Sequence, residues 1–152
     1  MTYLFGKSSS HGLAIALFSL VVGLTALPVR GQQGLYNPIP LKSDAEVSDR
    51  LTTQDIPTGE GGFAKDYLVD LEQGDQVAID LMSEEFDSVI LLIGEDGTTI
   101  AENDDGPDGS TNSLLFSRIT ETGKYIIRVR AFGERGSGNF RLKVTRLRPV
   151  TR

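Results

Sequence analysis

Alternation of apolar and polar residues is the feature of this sequence that most restricts its fold. In the stretch "DYLVDL", Tyr67, Val69 and Leu71 fall on one face. Asp66, Leu68 and Asp70 fall on the opposite face. A period of two is typical of a β-strand that buries one face. Strand character recurs in "AEVSDRLT", "QVAIDLM", "SVILLIG", "TTIAE", "SLLFSRI", "YIIRVRAF" and "NFRLKVTRL".

Short turns rich in glycine, aspartate and asparagine separate these runs, and no stretch after residue 31 sustains a helical period. Seven or eight short strands with such turns predict an all-β fold, an antiparallel β-sandwich. The predicted domain covers residues 44–148 and leaves 149–152 as a tail. At 152 residues, the chain has room for one core of ordinary size.

The N-terminus predicts export. Lys7 precedes the apolar run Leu13–Leu27, which is shorter than the roughly 20 residues that a membrane-spanning helix needs. We therefore expect a signal peptide at residues 1–31, cut before Gln32, with Leu24 and Ala26 offering a second cleavage site. An uncleaved N-terminal anchor is the alternative. The mature protein would be periplasmic or secreted and would have no membrane span.

Residues 32–43, "QQGLYNPIPLKS", contain two prolines and a glycine and few apolar anchors. Such a composition indicates an exposed, flexible leader in front of the domain.

Charge is divided along the chain. Nineteen acids lie between Ser43 and Asp108, whereas ten bases lie between Gly109 and Arg152. Because the basic residues alternate with apolar ones, they belong to strands, and we expect acidic and basic residues to pair across neighbouring strands. The net charge of −6 and the lack of a phosphate-binding loop argue against nucleic acid as a partner.

Catalysis is restricted by the residue types present. The chain has no cysteine, and its one histidine, His11, lies in the predicted signal peptide. The mature protein would therefore lack the usual base for a serine or cysteine nucleophile and the commonest zinc ligands. A hydrolase that uses two carboxylates remains an alternative, since two acids with separated pKa values suffice for glycoside cleavage.

The stretch "AENDDGPDGSTN" concentrates acidic and amide side chains in one glycine-containing loop. Calcium takes six to eight oxygen ligands from carboxylates, amides and backbone carbonyls. An acidic hairpin loop that is simply solvated has the same composition, so both interpretations stay open. The candidate calcium ligands are Asp87, Asn103, Asp104, Asp105, Asp108 and Asn112.

A second candidate site is the loop in "RAFGERGSG". It would expose Phe132 beside Arg130 and Arg135. Aromatic and arginine side chains dominate binding hot spots, which suggests a contact patch for an extended peptide or an anionic polymer. The alternative is that Phe132 is only a packed anchor of the loop.

Taken in order, "DYLVDLEQGDQVAIDL", "EEFDSVILLIGEDGTTIAENDDG", "TETGKYIIRVRAFG" and "GNFRLKV" resemble the bacterial pre-peptidase C-terminal domain over about Glu46 to Val144. This resemblance implies a jelly-roll-like sandwich and a non-catalytic accessory module, in a group whose relatives include calcium-ordered collagen-binding domains. The expected partner is an extracellular or envelope protein or polymer. A carbohydrate-binding module is the alternative, although the scarcity of aromatic residues argues against it.

Overall fold

The computed structural model describes residues 36–59, 61–107 and 109–147. All of them belong to one compact unit, Gly34–Arg152. The predicted signal peptide, the first residues of the leader, Asp108 and the predicted tail lie outside the described residues.

The described residues form ten β-strands and one 3-10 helix, and the predicted all-β class is confirmed. Eight strands correspond to the eight runs found in the sequence. The additional strands, β1 and β3, have only two residues each and are too short to produce a periodic pattern. The strands are β1 Ile39–Pro40, β2 Glu46–Leu51, β3 Ile56–Pro57, β4 Phe63–Leu71, β5 Gln76–Met82, β6 Ser88–Ile93, β7 Thr99–Asn103, β8 Ser113–Arg118, β9 Gly123–Ala131 and β10 Gly138–Leu147, with the 3-10 helix at Phe132–Glu134.

Two sheets make up the sandwich. The first has the order β1-β4-β9-β6-β7, with β3 also paired to β4, and the second has the order β2-β10-β5-β8. Among the eight longer strands, only β6 and β7 are consecutive and paired as a hairpin. This order, in which the other consecutive strands lie in different sheets, is that of a jelly roll.

The core lies between the inner faces of the two sheets. Tyr67, Ile127 and Leu142 have no exposed surface, and each follows the alternation that the sequence shows. Two edge-to-face contacts join the aromatic core residues, with Phe140 packed against both Tyr67 and Phe86 at centroid distances of 6.3 Å. Buried aromatic pairs of this geometry add about 0.5–1.5 kcal/mol beyond their area.

Acidic and basic side chains pair between strands, as the charge division predicts. Asp70 lies opposite Lys124 across β4 and β9 at 3.1 Å, and Glu46 lies 3.5 Å from Arg141 across β2 and β10. The pairs are mostly exposed, so each contributes little to stability. The pair of Asp66 with Arg128 differs, because the Asp66 side chain has no exposed surface.

The leader pairs with the first sheet, although Ile39 and Pro40 stay exposed. Ile39 and Pro40 pair in parallel with Tyr67 and Leu68 of β4, and the N–H of Leu41 donates to the carbonyl of Leu68 at 2.8 Å. Leu41 also packs against the core. The edge position of β1 tolerates Pro38 and Pro40, because a missing N–H donor costs little at the edge of a sheet.

Candidate functional site: a braced loop end

Three connections meet at one end of the sandwich, which we call the loop end. They are Ser83–Asp87 between β5 and β6, residues 104–112 between β7 and β8, and Phe132–Ser137 between β9 and β10. The backbone N–H of Phe132 donates to the carbonyl of Asp87 at 2.8 Å, and that of Ser88 donates to the carbonyl of Thr111 at 2.9 Å. Both loops selected from the sequence therefore lie beside the start of β6.

Ser83 holds this end together from inside. It is 5% exposed, and its hydroxyl donates to the carbonyl of Asn139 while accepting from the N–H groups of Glu85 and Phe86. The N–H of Ser83 donates to Oδ1 of Asn112 at 3.0 Å. Through its hydroxyl and its backbone N–H, Ser83 thus connects all three loops or the strands that carry them.

A second buried contact joins the two sheets. Ser88 and Ser113 have their hydroxyl oxygens 2.7 Å apart, and Ser113 also donates to the carbonyl of Ser88 at 2.6 Å. Ser88 donates to the carbonyl of Thr111 at 2.9 Å. Buried hydroxyls with all partners in place fix a local geometry, because losing one partner exposes the other to a desolvation penalty.

Close packing at the loop end also requires glycine. A Cβ atom at Gly136 would lie 2.8 Å from Cβ of Phe86, and one at Gly138 would collide with the side chain of Glu85. Both glycines have positive φ angles, 146° and 151°, which residues with a side chain rarely adopt. The β9–β10 connection therefore lies directly on the β5–β6 connection.

The two asparagines among the candidate calcium ligands serve the fold. Asn103 donates its amide to the carbonyls of Asp105 and Leu114, at 2.8 and 2.7 Å. Asn112 uses Oδ1 to accept the N–H of Ser83. Neither contact needs a metal ion, and the Oδ1 atom of Asn112 already has a donor.

The candidate carboxylates do not gather into a cage. Asp87 and Asp105 are exposed, Asp104 is partly exposed, and Asp108 lies outside the described residues. Within the part of the chain that the structure describes, no three acidic side chains are arranged to hold a metal ion. The described carboxylates do not supply the six to eight oxygens that calcium takes, so calcium binding and a solvated loop stay as two predictions for experiment.

The candidate contact residues divide into two groups. Phe132 is 53% exposed at the end of β9, and Arg135 is exposed on the same connection. Arg130 is instead directed along the outer face of the first sheet, where its Nη2 atom lies 2.6 Å from Oε1 of Glu102. The structure thus presents Phe132 and Arg135 to solvent and holds Arg130 in an ion pair.

A cleft of about 790 Å³ opens beside the loop end, on the side of the second sheet. Its lining is polar and carries both charges, since Arg50 beside it lies 3.7 Å from Glu85 and Glu85 accepts from Asn139 at 2.5 Å. The residues that line it include Ser48, Glu84, Glu85, Asn112, Asn139 and Arg141. No sequence pattern predicted this cleft, because its residues come from four separate segments.

Two carboxyl groups have shifted pKa values, and both shifts are downward. Burial would raise the pKa of Asp49, but hydrogen bonds from the N–H of Arg50, the Lys65 ammonium and the Tyr67 hydroxyl lower it. Bonds from the N–H and hydroxyl of Thr98 lower the pKa of Asp96. A general acid needs a raised pKa at neutral pH, so neither group is suited to that role.

A polar cluster forms around the buried Asp66 on the outer face of the first sheet, and the sequence analysis did not predict it. Arg128 donates two hydrogen bonds to Asp66, and Tyr36 donates a third at 2.6 Å. Burial and the hydrogen bond to Asp66 raise the pKa of Tyr36 to about 12. The alternation placed Asp66 on an outer face, where burial is not expected. Tyr36 of the leader and Arg128 of β9 both contact its carboxylate.

These features define a small antiparallel β-sandwich with a rigid, loop-bearing end and no assembled catalytic group among the described residues. The family model of the bacterial pre-peptidase C-terminal domain matches residues 64–131. Residues 64–131 therefore carry the sequence pattern of a bacterial pre-peptidase C-terminal domain. The resemblance inferred from the sequence is confirmed.

Two solved structures share the fold. The pre-peptidase C-terminal domain of collagenase from Bacillus anthracis is 14% identical, with a TM-score of 0.55, and the match covers 72% of this chain and 95% of that one. Aeromonas hydrophila PliG, a periplasmic lysozyme inhibitor of g-type lysozyme, is 15% identical, with a TM-score of 0.55, and the match covers 72% of this chain and 96% of that one. No curated protein matches the sequence.

Among the described residues, no helix is long and apolar enough to cross a membrane.

Proposed function

We propose that this protein is an exported, non-catalytic module that binds another protein of the cell envelope or the extracellular space through its loop end. The observation that carries the proposal is the exposed Phe132, held on a connection whose backbone is bonded to Asp87. Exposed aromatic side chains on a rigid support make binding hot spots, because little conformational freedom is lost when they are covered.

Rigidity of the support comes from side chains that do not contact solvent. Ser83, Ser88 and Ser113 are at most 5% exposed, and together they tie the three connections to both sheets. Glu84, Asp87 and Asp105 are exposed on the other two connections of this end, and Arg135 is exposed on the connection that carries Phe132. The loop end therefore presents charges of both signs together with an aromatic side chain, a composition suited to a protein partner.

Two related folds support a protein partner. One belongs to a collagenase, and the other to a periplasmic inhibitor of g-type lysozyme. A g-type lysozyme is consequently the first probe to test. The carbohydrate-binding alternative requires a flat aromatic platform, whereas the exposed Phe116 lies on β8 and the exposed Phe132 lies on the connection between β9 and β10.

The binding test is an isothermal titration calorimetry experiment in which the protein is added to a g-type lysozyme. We expect saturable binding that the double substitution Phe132→Ala and Arg135→Ala reduces at least tenfold. Phe116→Ala is the matched control, because it removes another exposed phenylalanine from a different face. Equal weakening by the control would contradict a role for the loop end, and lack of any binding would exclude this enzyme as the partner.

The absence of catalysis is tested separately. Turnover of a glycoside or peptide substrate that disappears in Asp87→Asn or Asp104→Asn would favour the carboxylate hydrolase instead.

Export is part of the proposal and has its own measurement. We expect the protein recovered from the periplasm or medium of an expressing bacterium to begin at Gln32, as determined by mass spectrometry. An intact N-terminus in the membrane fraction would favour the uncleaved anchor.

A further inference from the structure

Strand β8 has one unpaired edge. It forms a ladder with β5 from Leu81↔Ser113 to Gln76↔Arg118, and it is the last strand of its sheet. On its other side, no strand of the described residues pairs with it. An exposed edge of this kind offers N–H and C=O groups to a further strand.

The outward-facing backbone groups belong to the even-numbered residues of β8. The N–H and carbonyl of Ile119 bond toward the β5 side, to Asp75 and Gly74, which assigns the odd positions to that side. Leu114 faces outward, but its N–H donates to the carbonyl of Asp105 and its carbonyl accepts from Asn103. The acidic loop thus occupies one third of the edge and leaves the backbone of Phe116 and Arg118 open.

The side chains of the open part are chemically unusual for an edge. Phe116 is 63% exposed, the largest exposed fraction among the large apolar residues of the described chain. Arg118 is exposed and has no ion pair among the described residues. Both lie on the outer face of the second sheet, because they are two residues apart on one strand.

We propose that a second copy of this chain covers this edge, pairing its own β8 in antiparallel fashion about a two-fold axis at Ser117. In that register Phe116 lies opposite the partner's Arg118, and the same contact repeats across the axis. Each arginine can then lie against an aromatic ring, a cation–π contact. The two outward residues of each strand exchange four backbone hydrogen bonds.

The edge favours a second copy over an unrelated strand for two reasons. A long strand from another protein would need the backbone of Leu114, which the acidic loop already uses. The pairing about Ser117 needs only the two open residues and sets Phe116 of each copy against Arg118 of the other, so both copies use the same patch, as an isologous interface requires. The surface differs from the loop end, so this inference does not rest on the proposed function.

Cysteine cross-linking tests the register directly, because the chain has no cysteine of its own. At the two-fold axis the Ser117 residues form a pair without backbone hydrogen bonds, with Cα atoms about 4.5 Å apart, within the range that a disulfide spans. We expect Ser117→Cys, oxidised with diamide, to become mostly a disulfide-linked dimer. Ser48→Cys is the control, since Ser48 is more exposed but lies on β2 at the opposite edge.

Sedimentation equilibrium of the unsubstituted full chain provides an independent measurement. We expect the average mass to rise toward twice the monomer with concentration, and Phe116→Ala or Arg118→Glu to raise the dissociation constant at least tenfold. Phe132→Ala should leave it unchanged. A chain that stays monomeric up to its solubility limit, or equal cross-linking of both cysteine variants, would overturn the proposal.

Discussion

Asp66 and Arg128 lie opposite each other across β4 and β9 and are joined by two hydrogen bonds, Nε to Oδ1 at 2.8 Å and Nη2 to Oδ2 at 2.7 Å. The Asp66 side chain has no exposed surface, whereas the Arg128 side chain is 31% exposed. Removing one member of such a pair leaves the other charge without a partner in a poorly solvated place.

Substituting Asp66→Asn should therefore lower the free energy of unfolding by about 2 kcal/mol, less than for a fully buried pair because Arg128 still reaches solvent. Asp70→Asn is the matched control, on the same strand and paired with exposed Lys124. We expect that control to change stability by less than about 0.5 kcal/mol. Urea unfolding measures both, and equal losses would contradict the importance of burial at Asp66.

Alkaline pH should destabilise the protein through its tyrosines. The pKa of Tyr36 is raised from 10.0 to about 12, and burial and Asp49 raise that of Tyr67 further. Between pH 10 and 12 the unfolded chain releases these protons while the folded chain retains them, so stability is full below pH 10 and falls through this window. Tyr36→Phe should reduce the slope of unfolding free energy against pH there, and an unchanged slope would contradict the shift.

The serine brace should matter more than its size indicates. Ser83→Ala removes one donor and one acceptor that serve Asn139, Glu85 and Phe86. We expect a loss of about 1–3 kcal/mol, because buried partners are left unsatisfied. Ser110→Ala, in the exposed loop, is the comparison and should cost much less in the same thermal unfolding assay.

Gly138 should not tolerate alanine. The added methyl would collide with Glu85 and would also need a φ of 151°. We expect a loss of about 3 kcal/mol, against about 1 kcal/mol for Gly97→Ala, which has a φ of 83° but open space around it. Similar losses would show that backbone strain alone, and not contact between the two loops, sets the requirement.

Calcium should leave the unfolding temperature unchanged. The described carboxylates form no group that could hold a cation, and Oδ1 of Asn112 already accepts a hydrogen bond, so we expect coincident thermal unfolding curves in calcium and in a chelator. A ligand at a hundred times its dissociation constant would add about 2.7 kcal/mol, which is easily visible. A rise with calcium but not magnesium would make the loop a metal site, with Asp104, Asp105 and Asp108 as its first candidates.

Periodicity predicted most of the fold. The faces of β4, β5, β9 and β10 follow from alternation alone, because each strand buries one face against the opposite sheet. Strands of two residues have no period, so β1 and β3 could not be recognised. The same limit explains why the sequence did not predict that Ile39 and Pro40 pair with β4.

Side-chain contacts between distant segments were the part that sequence reasoning could not reach. Ser83, Ser88 and Ser113 look like ordinary strand and turn residues, and only the meeting of three loops makes them a brace. Asn103 and Asn112 were named as candidate calcium ligands, and in the structure their amides bond to the backbone of neighbouring segments. Composition indicates which atoms could bind a ligand, but not which of them already have a partner.

The jelly-roll order limits how early during synthesis the domain can fold. Strand β2 pairs only with β10, so that Arg50 must find Asn139 at the far end of the chain. Contacts so distant along the chain make folding slow, typically milliseconds to seconds for sandwiches. Among the described strands, β2 has no partner in its sheet until β10 has been synthesised, so the second sheet stays incomplete while the intervening residues leave the ribosome.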